Sequence, residues 1–326
     1  MKTTASIVMG ALLLAGGVAA QQPINEKWAT APTGEVIIDN MAGSVRVVGW
    51  SRNEVQVAGR LGRDARRLEF REEQGATVIR VVMERRARGS EGTRLEVHLP
   101  ARKGIRIQTL SADVEVEGSR GDVRVQSVSG LVKVSQSRPR TISAASRSGD
   151  VQIDAEAEGV TASSTSGSVR VAGAMKRLDA SSVSGDVRVS ATTPDLRAST
   201  VGGTLEVTSL RGRAQLRNVN GPTRVVGRNL SGSFQTVTGI LQINGDLSRG
   251  EPISLTSHSG DVELRLPAGT SADVQVSTTS GRIRSEIAGA RVTPSSPRQQ
   301  RITLGNGDAR VQIRTFSGAV LLRRRT

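Results

Sequence analysis

Residues 178–189 read LDASSVSGDVRV, and the reading of this stretch decides the fold. Leu178 and Ala180 alternate with polar neighbours, Ser182 closes the run, and Ser184-Gly185 breaks it. Val187 and Val189 then resume the alternation around an outward Arg188. Period-two alternation on both sides of a glycine specifies strand, turn, strand.

Outward from Gly185 the same glycine recurs at Gly130, Gly149, Gly167, Gly203, Gly221, Gly239, Gly260, Gly281 and Gly318. The steps are 19, then 18 five times, then 21 twice, then 37 residues. Seven and five positions before each glycine the chain is mostly apolar, as at Val160 and Ala162, Leu196 and Ala198, or Ile253 and Leu255. Three positions before it stands only Ser, Thr or Asn, from Thr109 and Ser127 through Ser182 and Asn218 to Thr278 and Thr315. Stacked coil on coil, such side chains can bond one another or the backbone at the bend. That column favours parallel stacking over an antiparallel meander, and the fixed period indicates a solenoid. The expected fold is all-β, a parallel β-helix-like solenoid of 18–21-residue coils.

Residues 1–20 have the form of a secretory signal: Lys2, an apolar core over residues 6–18, and small residues Val18 and Ala20 before a cleavage point. The core is shorter than the ~20 residues that cross a bilayer, and no later segment is apolar enough to do so. No cysteine is present to serve a lipid anchor, a disulfide or thiol chemistry. Residues 21–33 read as a loose leader. In 34–103, Val36, Ile38, Asn40, Gly43, Val45 and Val47 fit the repeat as a first coil, after which the period is lost. Candidate strands at 54–58, 68–71, 77–83 and 94–99 suggest an antiparallel cap, because an open solenoid end exposes unpaired backbone. Solenoid repeats then fill 104–326, with a Pro- and Ser-bearing loop at 290–300 and a last coil at 301–322. Leu99-Pro100 is echoed by Leu266-Pro267. The closing Arg323-Arg324-Arg325-Thr326 is unlike the aromatic end of an outer-membrane barrel strand.

Composition fits an exported β-protein. The formal net charge is +15, of which a leader ending at Ala20 would remove only Lys2. Three Phe, two Trp and no Tyr are few for an ordinary core of this size but enough for narrow coils filled with Val, Ile, Leu and Ala.

The SGDV-type repeats, the opening GEVIIDNMAGSVRVVGW, the LPARKG and LPAGTS segments and the closing GNGDARVQIRTFSGAVLL resemble a family of bacterial exported proteins. These are described as β-strand repeat-containing and as "putative adhesins" with a domain of unknown function. The resemblance runs from Gly34 to the C-terminus. It implies a β-solenoid of the envelope or cell surface and brings no catalytic residues with it.

Signs of chemistry are sparse. His98 and His258 are the only histidines, and neither has a second His or a Cys with which to hold zinc. Serines are everywhere for structural reasons, so no nucleophile-His-Asp set stands out. Asp113, Asp122, Asp150, Asp186 and Asp261 follow small turn residues, but their column is interrupted by Leu131, Ser168, Thr204, Pro222 and Ile240. Turn stabilisation explains them better than a calcium ladder. Paired carboxylates across coils, as in a carbohydrate-active β-helix enzyme, form the alternative reading. The candidate binding feature is a basic outer column three after the glycine, with Lys133, Arg170, Arg188 and Arg224. Such a column could attract acidic polysaccharide or other cell-surface polyanions; the competing reading is a solvated face that discourages aggregation. Export and the lack of an aromatic stacking platform speak against nucleic acid. The reading is therefore an exported, non-enzymatic β-solenoid of the periplasm or cell surface, structural or adhesive, with no cofactor.

Overall fold

The computed structural model describes residues 23–73, 75–84 and 92–325. The expected signal segment, residues 1–20, lies outside the described residues. Every described element is a strand. The first part holds β1 (Pro23–Ala29), β2 (Glu35–Trp50), β3 (Glu54–Arg60), β4 (Ala65–Glu73), β5 (Ala76–Met83) and β6 (Thr93–Pro100). The regular repeats supply β7 (Gly104–Glu117), β8 (Val123–Ser127), β9 (Val132–Ser137), β10 (Thr141–Ser146), β11 (Val151–Ser164) and β12 (Val169–Ser182). They continue as β13 (Val187–Thr192), β14 (Asp195–Thr200), β15 (Leu205–Asn220), β16 (Thr223–Thr238) and β17 (Leu241–Leu247). The last part holds β18 (Ile253–Ser257), β19 (Val262–Leu266), β20 (Ala272–Thr278), β21 (Ile283–Ser285), β22 (Arg291–Ser296), β23 (Gln299–Leu304), β24 (Ala309–Thr315) and β25 (Val320–Arg324).

The expected all-β fold with parallel strands is what the structure has. Two parallel ladders run the length of the stack, and the longer strands bend to serve both. In the first ladder Val160, Leu178, Leu196 and Ala214 are successive partners on β11, β12, β14 and β15. In the second, Val151, Val169, Val187 and Leu205 are partners on β11, β12, β13 and β15. Alternation then places every second side chain between the ladders, where the valines, leucines and isoleucines are almost wholly buried. Phe234 is the one phenylalanine in that core, between Leu216 and Leu255 in its column.

The turn column explains the recurring glycine, which gives way to Ala112 and Thr93 only in the coils beside Gly43. A Cβ on Gly185 would lie 2.2 Å from the carbonyl oxygen of Gly167, and one on Gly167 2.2 Å from that of Gly149. The coils touch backbone to backbone here, so only a residue without a side chain fits. The hydroxyl column ties the same corner together. Ser182 Oγ accepts from Gly185 N at 3.0 Å and donates to Gly167 O at 2.9 Å; Ser164 repeats this with Gly167 and Gly149. Each hydroxyl closes its own turn and bonds the preceding coil.

The two ends depart from simple succession. The stretch expected as a loose leader contains β1, which pairs antiparallel with β3, as β3 does with β6. Only β1, β3 and β4 are antiparallel cap strands. β5 and β6 are parallel partners of β2, so they form a coil outside the first one, and β7 returns to the other side of β2. At the far end the expected loop at 290–300 is largely strand: β22 pairs antiparallel with β23, and β23 with β20. Pro294 is tolerated because, among the described residues, β22 pairs with β23 alone and is an edge strand. The last coil is not last in space. β24 lies between β18 and β20, and β25 between β19 and β21.

Candidate functional site

The second ladder turns its alternate side chains outward. Its register makes one column of Lys133, Gln152, Arg170, Arg188, Glu206, Arg224, Gln242 and Glu263. All four cations of the expected site therefore share one face, on β9, β12, β13 and β16. A shallow groove of about 540 Å³ runs beside them, and Lys133, Arg170 and Arg188 line it together with the smaller Ser135, Ala172 and Ser190. Arg224 lies one strand beyond Glu206 in the column, outside that lining.

The electrostatics of the column are mixed. Lys133 Nζ is 2.7 Å from Glu115 Oε1, and Arg170 Nη1 is 3.3 Å from Asp150 Oδ2. Arg188 meets Asp186 at 2.9 Å and Glu206 at 3.6 Å. Arg224 donates to the Gln242 side-chain oxygen at 3.2 Å. Lys133 holds the Glu115 carboxyl below its usual range. For Asp186 the backbone N–H of Thr204 is the main cause of a lowered pKa, with Arg188 adding to it. At Glu263, beyond which the column runs on to Leu321 and Arg284, burial raises the carboxyl's pKa but hydrogen bonds from Arg265 and Gln242 and the charges of Arg265 and Arg323 outweigh it. Sequence reading placed Asp150 and Asp186 in the turns but did not pair them, or Glu115 and Glu206, with the cations. The signal was present in the period: Glu115 stands 18 residues before Lys133, and Glu206 18 after Arg188.

The remaining candidates take structural places. Asp113, Asp150, Asp186 and Asp261 each accept a backbone N–H from the adjoining coil, at Leu131, Ser168, Thr204 and Ala319, all at 2.8 Å. One turn aspartate thus satisfies two coils, and its column alternates so that like charges are not stacked directly. Among the described residues no group of three or more His, Asp, Glu or Cys side chains could hold a metal ion. His98 lies 5.1 Å from Trp50, and His258 stacks on Phe316 with centroids 4.9 Å apart. Each histidine thus lies against an aromatic ring, His98 half-buried and His258 still exposed.

Stacked parallel coils, inward aliphatic columns and outward polar columns define an all-β solenoid-like repeat protein. The chain belongs to the Toastrack family, DUF4097, whose model matches residues 36–323. No curated protein matches it. Among solved structures it is similar to one described as a putative adhesin from Parabacteroides distasonis ATCC 8503, at 12% identity over 76% of this chain and 94% of that one, with a TM-score of 0.44. Another, described as a putative adhesin from Bacteroides fragilis NCTC 9343, aligns at 11% identity over 94% of this chain and 98% of that one, with a TM-score of 0.37. No helix among the described residues is long and apolar enough to cross a membrane.

Proposed function

We propose that this Toastrack chain is an exported, non-enzymatic adhesive or scaffolding protein of the periplasm or cell surface. Its outward columns engage acidic polysaccharide or other cell-surface components. The observation that carries the reading is the repetition of outward polar side chains at one-strand intervals over shallow grooves. Among the described residues, thirteen parallel strands in the second ladder, at ~4.8 Å each, make a stiff rod of ~60 Å. Such a rod offers many equivalent weak contacts along a polymer rather than one deep pocket. The cations of the Lys133 column contribute to attraction at low salt, although their ion pairs reduce what they offer a ligand.

The test is binding of the purified chain from Gln21 to an array of glycans, lipopolysaccharide and heparin, at low and near-physiological salt. The reading expects binding that survives near-physiological salt. No binding to any acidic glycan would remove the adhesive half of the proposal and leave a scaffold.

A further inference from the structure

The outer face of the first ladder carries a motif the second lacks. On β15 the outward residues are Arg213, Gln215 and Arg217; on β24 they are Arg310, Gln312 and Arg314. The stretches read RAQLRN and RVQIRT. The intercalated last coil brings these two Arg-x-Gln-x-Arg strands onto one face. β16 and β18 lie between them, with Gln215 next to Ser233, Ser233 next to Ser254 and Ser254 next to Gln312. Two long-chained walls thus stand three strand steps apart, ~14 Å. The floor between them is Ser233, Gln235, Ser254 and Thr256. A groove of about 500 Å³ occupies its Ser233–Ser254 end, between Arg213, Gln215 and Glu251 on one side and Arg310, Gln312 and Asp273 on the other; Arg217 and Arg314 stand outside that lining, at the Gln235–Thr256 end.

The charge of this trough differs from that of the Lys133 column. Arg213 is held bidentately by Glu251, at 2.8 and 3.1 Å. Asp273 beside Arg310 is claimed by Arg301, at 2.6 and 2.8 Å. Arg217 bonds only the neutral Gln235 side chain, at 3.3 Å. Arg310 and Arg314 have no hydrogen bond or ion pair among the described residues. Three guanidinium groups are therefore without a carboxylate partner among the described residues; amides and hydroxyls lie between them, and the two carboxylates that line the groove, Glu251 and Asp273, are each paired with another arginine. A guanidinium presents a planar fork matched to carboxylate or sulfate, and the amides and hydroxyls offer donors and acceptors to sugar hydroxyls.

We infer that this trough, with Arg217, Arg310 and Arg314 as its anion-binding groups and Gln215 and Gln312 as its hydroxyl-binding groups, is the site that recognises an acidic polysaccharide. The assignment rests on the adhesive reading above and moves its specific contact to the opposite face. No aromatic side chain stands in the trough to stack a base, which separates this ligand from single-stranded nucleic acid.

The experiment measures binding of heparin and polygalacturonate to the chain from Gln21 at near-physiological salt. It compares wild type with Arg217→Gln/Arg310→Gln/Arg314→Gln and with Lys133→Gln/Arg170→Gln/Arg188→Gln/Arg224→Gln. Far-UV circular dichroism and a thermal melt check folding. If the first variant does not fold, Arg217→Lys/Arg310→Lys/Arg314→Lys replaces it, keeping charge and losing the fork. The expected result is a loss of at least ~tenfold for the trough variant, since each charge-assisted hydrogen bond is worth about that factor or more. The column variant loses markedly less than the trough variant, because at this salt its attraction is screened and divided among ion pairs. Wild type binding neither probe overturns the adhesive reading and the trough with it. Loss in the column variant alone, equal loss in both, or loss in neither overturns the trough while leaving the adhesive reading in place.

Discussion

The rings of Trp28 and Phe70 stack face to face, centroids 3.4 Å apart and planes within 4°. Trp28 is on β1, the terminal strand of the second ladder, and Phe70 on β4, the terminal strand of the first. The pair therefore spans the open N-terminal end of the core, against which both rings pack half-buried. Two of five aromatics are used as a lid over the last aliphatic layer, where solvent would otherwise reach it. Either Trp28→Ala or Phe70→Ala is expected to destabilise by about 1–3 kcal/mol, part of the cost of a fully buried aromatic. The double variant is expected to lose less than the sum, by ~0.5–1.5 kcal/mol, because each ring's partner is the other. Chemical denaturation of the four proteins gives the coupling; strict additivity would show that the rings do not act together.

The glycine ladder makes a sharper prediction. Gly185→Ala places a methyl 2.2 Å from the Gly167 carbonyl oxygen, whereas Gly250→Ala meets nothing within 4 Å. The first is expected to cost at least ~2–3 kcal/mol, since coils on both sides hold the backbone in place. The second should be neutral within ~0.5 kcal/mol. Thermal melts of the two variants separate a packing requirement from a mere turn preference: similar small losses would mean the corner can spread.

At the hydroxyl column, Ser182→Ala removes the acceptor for Gly185 N–H and the donor to Gly167 O. Leaving these groups buried and unpaired should cost about 1–3 kcal/mol. Ser182→Leu should cost more, having bulk to place as well. Arg188→Ser, on the exposed face, should stay within ~1 kcal/mol because surface ion pairs are worth little. Equal, negligible losses in melts of all three would refute the stacked-column account.

Much of this architecture is legible in the chain because stacking repeats a chemical demand. Gly167, Gly185 and Gly203 face the same close contact, and Ser164, Ser182 and Thr200 the same carbonyl, so columns appear in the sequence at the coil spacing. The ends are less legible because their order depends on which coil covers which edge. Nothing local in 309–324 says that it inserts beside β18 rather than following β21. The loop expected at 290–300 carries Pro294 and Pro297, which argue against a central strand but not against an edge one. The Arg-x-Gln-x-Arg pair stands openly at 213–217 and 310–314, yet it gains meaning only when the inserted coil brings β24 within three strands of β15. The buried Lys103, 2% exposed in the turn before β7, had no signal at all in a surface-like LPARKG.

Acid should weaken the fold in a definite window. Asp273 is held below its usual range first by its hydrogen bond with Arg301, and Asp186 first by the N–H of Thr204. A carboxylate whose pKa is lower folded than unfolded contributes stability that is present above the unfolded value, near 4, and lost as pH falls through the folded value. Melting temperature should therefore stay nearly level from pH 8 to 5 and drop below about 4. Asp186→Asn keeps an acceptor for Thr204 but not the charge. Its deficit against wild type at pH 7 should shrink as pH falls and vanish once Asp186 is protonated. A deficit that stays constant down to pH 2–3 would show that the charge contributes nothing.

The two Leu-Pro segments mark the same event at opposite ends. After Leu99-Pro100 the chain leaves β6 and enters β7, passing over β2; after Leu266-Pro267 it leaves β19 and enters β20 and β21, passing over β24 and β25. Each connection rises two coils instead of one, and a later or earlier part of the chain fills the gap. At the C-terminal end that filler is the final coil, paired on both sides: Val262 N–H bonds Ala319 O and Val320 N–H bonds Arg282 O, both at 2.8 Å. Chain ends ordinarily fray, but an end with neighbours on both edges can open only by parting two ladders. In hydrogen exchange, amides of Val311, Ile313 and Val320 should therefore be protected as strongly as those of β15 and β16, while the edge strand β22 exchanges first. Removal of residues 309–326 should abolish the single cooperative melt, because it leaves β18 and β20 facing a missing strand. Exchange of Val311 and Ile313 at the rate of β22, or a truncated chain that melts as sharply as the whole, would show that the last coil is an appendage rather than part of the stack.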